Sequence, residues 1–364
     1  MEVLESLIEY SDDGIVYYEV ENDKQKRWLF TNNHLKLSMD LYQPTSCKGK
    51  VFKWLFPYVK NISSLKEKLH IKKVKLLLDR DIGNVLTSIF QSPINISFFG
   101  GTPCAHQKAV LQISQGNEVK AYCKISNNKA VGDLFDKECA ILQYLQECGM
   151  RTIPQVLLRQ TVKGLEVFCQ SNVKSTRYKT ECKLGKVHYY FLEELFEKTK
   201  VQLAFSQSAY AQMLTELQEN CKKLNKADER IVRRTIEEVE NKFSASEVTF
   251  CVYHGDFTPW NMAVVNNQLY VFDFEYAQKT YPPFLDCFHF LMQTEIFIHH
   301  KEAQEILNKI RKSTSELQRF GIECDFYLKL YLLEIIHLYL TRSNEIDDNE
   351  KNIMNLRLKI LFML

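Results

Sequence analysis

The sequence predicts an α+β protein of two lobes or more, strand-rich in its first half and mainly helical in its second. Three observations carry this expectation. The chain has 364 residues, and single hydrophobic cores rarely grow beyond about 250–300 residues. Runs of β-branched and aromatic residues crowd positions 96–125 and 165–170, the composition of pleated, half-buried strands. From residue 209 onward the apolar residues fall mostly at helical spacing, interrupted by one hairpin pattern.

The elements follow in chain order. Gly14 to Val20 and Lys26 to Thr31, separated by a polar turn, read as a hairpin. Between Lys48 and Lys75 stand nine lysines and one acid, Glu67, interleaved with Val51, Phe52, Trp54, Leu55, Phe56, Tyr58 and Leu65. Three readings fit this basic stretch. It is a helix packed on the protein body with solvated lysines, an amphipathic segment lying on an anionic membrane surface, or a contributor to binding an anionic substrate or carrier. Residues 79–91 read as a link to the next lobe.

Ile96 to Cys104 leads through Gly100 and Gly101 into a strand-like run from Lys108 to Ser114, and Val119 to Ile125 is a second run. Asp133 to Leu145 sets Leu134, Ile141, Leu142 and Leu145 on one helical face. Lys163-Gly164 marks a turn before a strand at Leu165 to Gln170. Helices are expected at Ala209 to Leu224 and Asp228 to Phe243, joined by 225–227. Val248 to Tyr253 reads as a buried strand, and Met262 to Val265 with Leu269 to Phe272 flank the turn Asn266-Asn267-Gln268. Pro282 and Pro283 precede an apolar helix-like stretch reaching Leu291, with further helices at 301–318, 326–339 and 349–364.

The most informative segment is His254 to Asn261, H-G-D-F-T-P-W-N, followed by Asp273 at the end of an apolar run in Y-V-F-D-F-E-Y-A. An aspartate and an asparagine five apart on a loop, with a second aspartate across a short hairpin, can surround one phosphoryl group. Asp256 then takes the acceptor's proton, while Asn261 and Asp273 hold the magnesium ions that bridge nucleotide phosphates. Either residue alone would read as a turn brace. It is the set, His254, Asp256, Asn261 and Asp273 between apolar strands, that favours catalysis.

These two segments resemble the aminoglycoside phosphotransferase and choline kinase family, small-molecule kinases with a protein-kinase-like fold. The resemblance spans about residues 95–340 and is specific only in the catalytic part. Choline and ethanolamine kinases usually carry asparagine where Gly255 stands, a departure from their pattern. The family implies two lobes: a small antiparallel-sheet N-lobe with one helix at 91–172, and a mainly helical C-lobe at 173–364, with residues 1–90 as an extra α+β region. It also implies ATP, or another NTP, with Mg2+ as cofactors, and transfer to a hydroxyl of a small molecule. Lys124, among apolar neighbours on its strand, is the expected phosphate-binding lysine, and Glu138 on the following helix is its expected ion-pair partner. A solvated strand lysine and a surface helix charge are the alternatives. Gly100 and Gly101 either let backbone amides approach the phosphates or form a simple hairpin turn, since the segment is not G-x-G-x-x-G and Pro103 removes a donor. His254 and Asp286 are expected to brace the catalytic loop, Asp286 being equally compatible with a plain helix cap. His289 reads as a satisfied core histidine.

The acceptor stays open among sugars, glycan precursors and amino alcohols, with a sugar or glycan-type hydroxyl preferred. A protein substrate fits less well, because no A-P-E arrangement follows Asp273. An inactive kinase-like scaffold or a membrane-surface binding module is the alternative function. The net charge of +2 gives no reason to expect a nucleic-acid partner. Eleven scattered cysteines without a C-x-x-C pair argue against a disulfide framework and a structural zinc site. An acidic start and no apolar run of about 18 residues place the chain in the cytoplasm, with peripheral contact at the inner membrane face through 48–75 as an option.

Overall fold

The computed structural model describes residues 3–22, 26–44, 47–60, 62, 71–102, 107–174, 178–243, 247–342 and 348–364. The chain divides into two compact units, Met1–Gln143 with Pro154–Asn172, and Tyr144–Ile153 with Val173–Leu364.

The first unit is built on one antiparallel sheet of eight strands. They are β1 (Ile8–Glu21), β2 (Arg27–Thr31), β3 (Ile71–Leu78), β4 (Asn95–Phe99), β5 (Ala109–Gln115), β6 (Glu118–Ser126), β7 (Val156–Val162) and β8 (Leu165–Ser171). Their order is β3-β1-β2-β4-β5-β6-β8-β7, so the first ninety residues and the next eighty share a single sheet. Among the described residues its helices are α1 (Leu35–Ser38), α2 (Cys47–Val59), α3 (Arg80–Phe90) and α4 (Lys129–Glu147), the last turn of α4 falling in the second unit.

Period-two alternation sends successive side chains of β1 and β2 to opposite faces. Tyr17 and Leu29 enter one core with Leu111, Ile113, Cys123 and the α3 residues Ile82 and Leu86. Tyr18, Val20, Trp28 and Phe30 enter a second core with Leu35 and Phe56. Both faces are covered, which is why these strands read as nearly continuous apolar runs. The hairpin expected at 14–31 forms, with Tyr18 opposite Phe30.

Among the described residues the basic stretch falls into two elements. Its first half is α2, and its last lysines, Lys72, Lys73 and Lys75, stand exposed on β3 at the sheet's edge. Lysines on an edge strand discourage pairing with another chain. Positions 61 and 63–70 of the stretch, and Pro103 of the glycine segment, lie outside the described residues.

Residues 79–91 are a helix where a link was expected. Asp79 caps it, its side chain accepting from the Asp81 and Ile82 amides at 3.0 and 3.1 Å, and Gln91 ends it in the left-handed conformation. Gly83 and Asn84 look loop-like in isolation; burial of Ile82 and Leu86 decides the outcome.

The second unit holds a three-stranded sheet, β13-β10-β9, and a two-stranded hairpin, β11-β12. The strands are β9 (Val201–Ala204), β10 (Glu247–Tyr253), β11 (Met262–Val265), β12 (Gln268–Val271) and β13 (Gln278–Tyr281). The helices are α5 (Lys186–Thr199), α6 (Ala209–Asn220), α7 (Lys226–Phe243), α8 (Leu285–Phe297), α9 (Ala303–Ser313), α10 (Cys324–Thr341) and α11 (Asp348–Phe362). The expected helices are present within a few residues of their predicted ends. Helix α5 and strand β9 were not anticipated, although His188, Phe191, Leu192 and Leu195 give α5 a buried stripe at helical spacing.

The β11-β12 turn is tighter than expected. Val265 pairs with Gln268, leaving only Asn266 and Asn267 in the loop, at φ 50° and 63°. Two positive φ angles are what a two-residue type I′ hairpin requires, and asparagine tolerates them. Helix α8 is buried from Leu285 to Ile296, so it lacks an amphipathic pattern, and its polar residues must find partners inside the protein. Among the described residues no helix is long and apolar enough to cross a membrane.

The cap on α3 is testable on its own. Asp79→Ala is expected to lower unfolding free energy by about 0.5–2 kcal/mol in urea denaturation, with Asp79→Ser recovering most of the loss. An unchanged midpoint for Asp79→Ala would show that the cap contributes nothing.

Candidate active site

Strand β10 delivers the chain into the loop His254–Asn261, and a buried carboxylate fixes how the loop begins. Asp286, in the first turn of α8, accepts the His254 amide at 2.9 Å and the Gly255 amide at 3.2 Å. Burial pushes its carboxyl up to about 7, with the two amides opposing that shift. Gly255 has φ 83°, and a Cβ there would stand 2.7 Å from the Tyr276 carbonyl oxygen. Only glycine fits a left-handed position this crowded.

His254 is fully buried and binds the loop at two points. Its Nε2 lies 3.2 Å from the Phe272 carbonyl, and its Nδ1 accepts the Asp256 amide at 3.1 Å. Both contacts are met by one neutral tautomer, protonated at Nε2. Burial holds its pKa down to about 4, in keeping with the neutral form.

Asp256 is held at both oxygens. Asn261 Nδ2 donates to Oδ2 at 2.7 Å and to the Asp256 backbone carbonyl at 3.1 Å. His289 Nε2 lies 3.2 Å from Oδ1, and a carboxylate can only accept, so the imidazole donates. The Asp256 side chain is nonetheless 29 % exposed, while His289 is 2 % exposed. A carboxylate so oriented, with an open side, is arranged to meet a ligand.

The Phe272 amide donates to the Asn261 carbonyl at 3.0 Å, tying the hairpin's end to the loop and bringing Asp273 next in line. Asp273 adopts φ 71°, a strained position of the kind that collects at functional sites. Carboxylate oxygens of Asp273 and Glu275 lie within 4.8 Å of one another.

In the first unit, Lys124 on β6 and Glu138 on α4 meet. The ammonium lies 3.0 and 2.7 Å from the two carboxylate oxygens, and both residues are buried. Residues of β6 alternate between faces. Cys123 and Ile125 enter the apolar core, which leaves Lys124 on the opposite face, with its ammonium 6.0 Å from the Phe168 ring centroid. The Gly100 amide donates to the Arg27 carbonyl at 2.9 Å, extending the β2-β4 pairing, and Gly101 has φ 84°.

Sequence reasoning took His289 for a satisfied core histidine; it is buried, but its Nε2 meets Asp256 and its Nδ1 has no partner. Its signal was present, since a histidine three residues after Asp286 on a helix buried all round needs a polar partner. Glu334 and Arg357 were missed; both are buried, and both sit on helices whose acids and bases had no visible assignment.

A kinase-like fold with an acid-bearing loop of this form defines the class of phosphotransferases. The model of the phosphotransferase enzyme family matches residues 112–293, half of the chain, and the chain belongs to that family. No curated protein matches the chain by sequence. Among solved structures, a putative fructosamine-3-kinase from Haemophilus somnus matches at TM-score 0.51 and 14% identity, covering 78% of this chain and 97% of its own. Choline kinase LicA from Streptococcus pneumoniae matches at TM-score 0.51 and 14% identity, covering 77% and 99%. A thermostable mutant of the aminoglycoside phosphotransferase APH(4)-Ia, in ternary complex with ADP and hygromycin B, matches at TM-score 0.51 and 10% identity, covering 78% and 98%. At such identities the likeness establishes the fold.

Under the loop, Glu334 of α10 bonds the Tyr253 hydroxyl at 3.1 Å. Burial pushes its carboxyl from 4.5 up to about 8. The folded state therefore keeps a proton that the unfolded chain releases, and stability falls as pH rises between those two values. The slope from this one group reaches at most about 1.4 kcal/mol per pH unit. Glu334→Gln is expected to flatten the stability profile between about pH 5 and 8 in urea titrations. Parallel profiles for variant and wild type would contradict this.

Proposed function

We propose that this protein transfers the γ-phosphate of ATP, with Mg2+, to a hydroxyl of a small molecule, and that Asp256 is the general base. The observation that carries this reading is the Asp256 carboxylate, oriented at both oxygens by Asn261 and His289 yet open on one side. The acceptor's oxygen attacks the γ-phosphorus, a new P–O bond forms as the bond to ADP breaks, and the hydroxyl proton passes to Asp256. Asn261 and His289 hold the carboxylate still, which limits the freedom lost when the acceptor is aligned. Lys124, kept extended by Glu138, neutralises nucleotide phosphates, and Gly101 lets the backbone approach them, while the Gly100 amide stays in the β2-β4 pairing.

The donor set suits a hard divalent cation. Because Asn261 turns its amide nitrogen to Asp256, its carbonyl oxygen is left for a metal, and the Asp273 carboxylate supplies a second oxygen donor. When bound, Mg2+ offsets the charge of the phosphates. Asp286 and His254 act one step away by fixing the loop's path. The preferred acceptor is a sugar or glycan-type hydroxyl.

Asp256→Asn is expected to reduce Mg2+-dependent ATP turnover with an accepted substrate by about 10²–10⁴-fold while leaving the melting temperature near that of the wild type. Turnover equal to wild type would remove Asp256 from its role.

A second reading concerns α2. Val51, Trp54, Leu55 and Tyr58 are 55, 70, 37 and 72 % exposed and fall at i, i+3, i+4 and i+7, one helical stripe. Phe52 and Phe56 pack the other side, and Lys48 and Lys50 flank the stripe in solvent. An exposed apolar stripe edged by lysines fits an anionic bilayer surface, where each lysine near the headgroups contributes about 1 kcal/mol. The protein is expected to cosediment with vesicles of phosphatidylserine and phosphatidylcholine, and the double variant Trp54→Asp, Tyr58→Asp to stay in solution. Equal binding of the variant, or of wild type to pure phosphatidylcholine, would exclude this surface.

A further inference from the structure

Behind His289, helices α8, α10 and α11 bury polar groups that nothing among the described residues satisfies. Arg357 of α11 has no exposed surface, and none of its three guanidinium nitrogens has a hydrogen-bond partner. The Tyr339 ring lies against it, 4.6 Å from the guanidinium carbon to the ring centroid. The Tyr331 hydroxyl on α10 and His289 Nδ1 on α8 are likewise buried without partners.

These groups are neighbours. The His289 and Tyr331 rings meet edge-on at 5.7 Å, and Tyr331 is near enough to feel the charges of Arg357, Glu334 and Asp256. Asp256 thus touches His289, and His289 touches Tyr331, with the Arg357 cation within electrostatic reach of Tyr331 and without a bonded anion. A buried arginine without a hydrogen-bonded counter-charge is strongly unfavourable, and five N–H donors in one fork match a carboxylate or phosphate. Glu334 is an internal candidate within electrostatic reach, but its hydrogen bond goes to Tyr253, and burial favours its uncharged form.

We propose that Arg357, Tyr331 and His289 recognise an anionic group on the acceptor, a carboxylate or a phosphate, so that the substrates are small hydroxylated anions such as sugar acids and sugar phosphates. This rests on the reading of Asp256 as the base. Arg357 and Tyr331 donate to the anion, while His289 Nδ1, the acceptor left when Nε2 donates to Asp256, takes an O–H or N–H of the same ligand. An anion reaches Arg357 only when one of its covers moves. The Tyr339 ring, 4.6 Å from the guanidinium carbon, is one such cover.

The test needs no turnover. Thermal melting of the full chain is followed with inorganic phosphate or acetate, against chloride at equal ionic strength, and the two anions distinguish phosphate from carboxylate recognition. At least one of them is expected to raise the wild-type midpoint. Arg357→Met is expected to melt at or above the wild type and to need at least about tenfold more anion for the same shift. Tyr331→Phe is expected to keep wild-type stability with a smaller shift. Asp256→Asn keeps the anion shift while losing transfer, so failure of the base assignment and failure of the anion site are told apart. The proposal is overturned if neither anion shifts the wild type more than chloride does. It is equally overturned if Arg357→Met melts below the wild type or fails to fold, or if both variants respond to anions as the wild type does.

Discussion

The loop geometry depends on one buried carboxylate. Asp286 takes two consecutive amides, those of His254 and Gly255, and so sets where β10 ends and how the chain turns. Everything downstream inherits that turn. The positive φ at Gly255 reverses the chain beside Tyr276, and His254 then reaches both the Asp256 amide and the Phe272 carbonyl. The outcome is an Asp256 side chain whose direction is fixed by the protein's own contacts. The carboxylate of Asp286 does this in a buried site, where unpaired amides would each cost about 1–3 kcal/mol.

The same economy explains why α8 is apolar nearly all round yet carries Asp286, His289 and Gln293. A helix buried nearly all round holds polar groups at least cost where they are bonded. Asp286 faces the loop's first residues, and His289, one turn on, faces Asp256 with Gln293 beside it at 3.3 Å. The helix is therefore the rear wall of the loop. In the first unit the comparable device is strand alternation. Cys123 and Ile125 anchor β6 in the core while Lys124 faces away toward Glu138.

Much of this was legible in the sequence because local rules and global structure agree. The H-G-D-x-x-x-x-N spacing, the apolar strands around it and the Asn-Asn turn each have one economical solution, and the matched family extends over them. The lysine and glutamate were readable as a strand residue and a helix residue, although their meeting at 2.7 Å is a tertiary fact. What escaped were features decided by burial. Residues 79–91 contain loop-forming types, and only the packing of Ile82 and Leu86 makes them a helix. His289 carries no spacing signal toward Asp256, being 33 positions away in sequence. Arg357 lies on a helix whose other face is charged, and nothing in its neighbours announces that it is the buried one.

The central claim is that this loop presents a base to an acceptor hydroxyl for attack on a nucleotide γ-phosphate. Phosphorus NMR of the purified protein with MgATP and a panel of sugars, sugar acids, sugar phosphates and amino alcohols tests it most directly. The account predicts a new phosphomonoester resonance that grows as the γ-phosphate signal falls, with at least one member of the panel. ATP left intact across the panel, or converted only to ADP and inorganic phosphate, would contradict it.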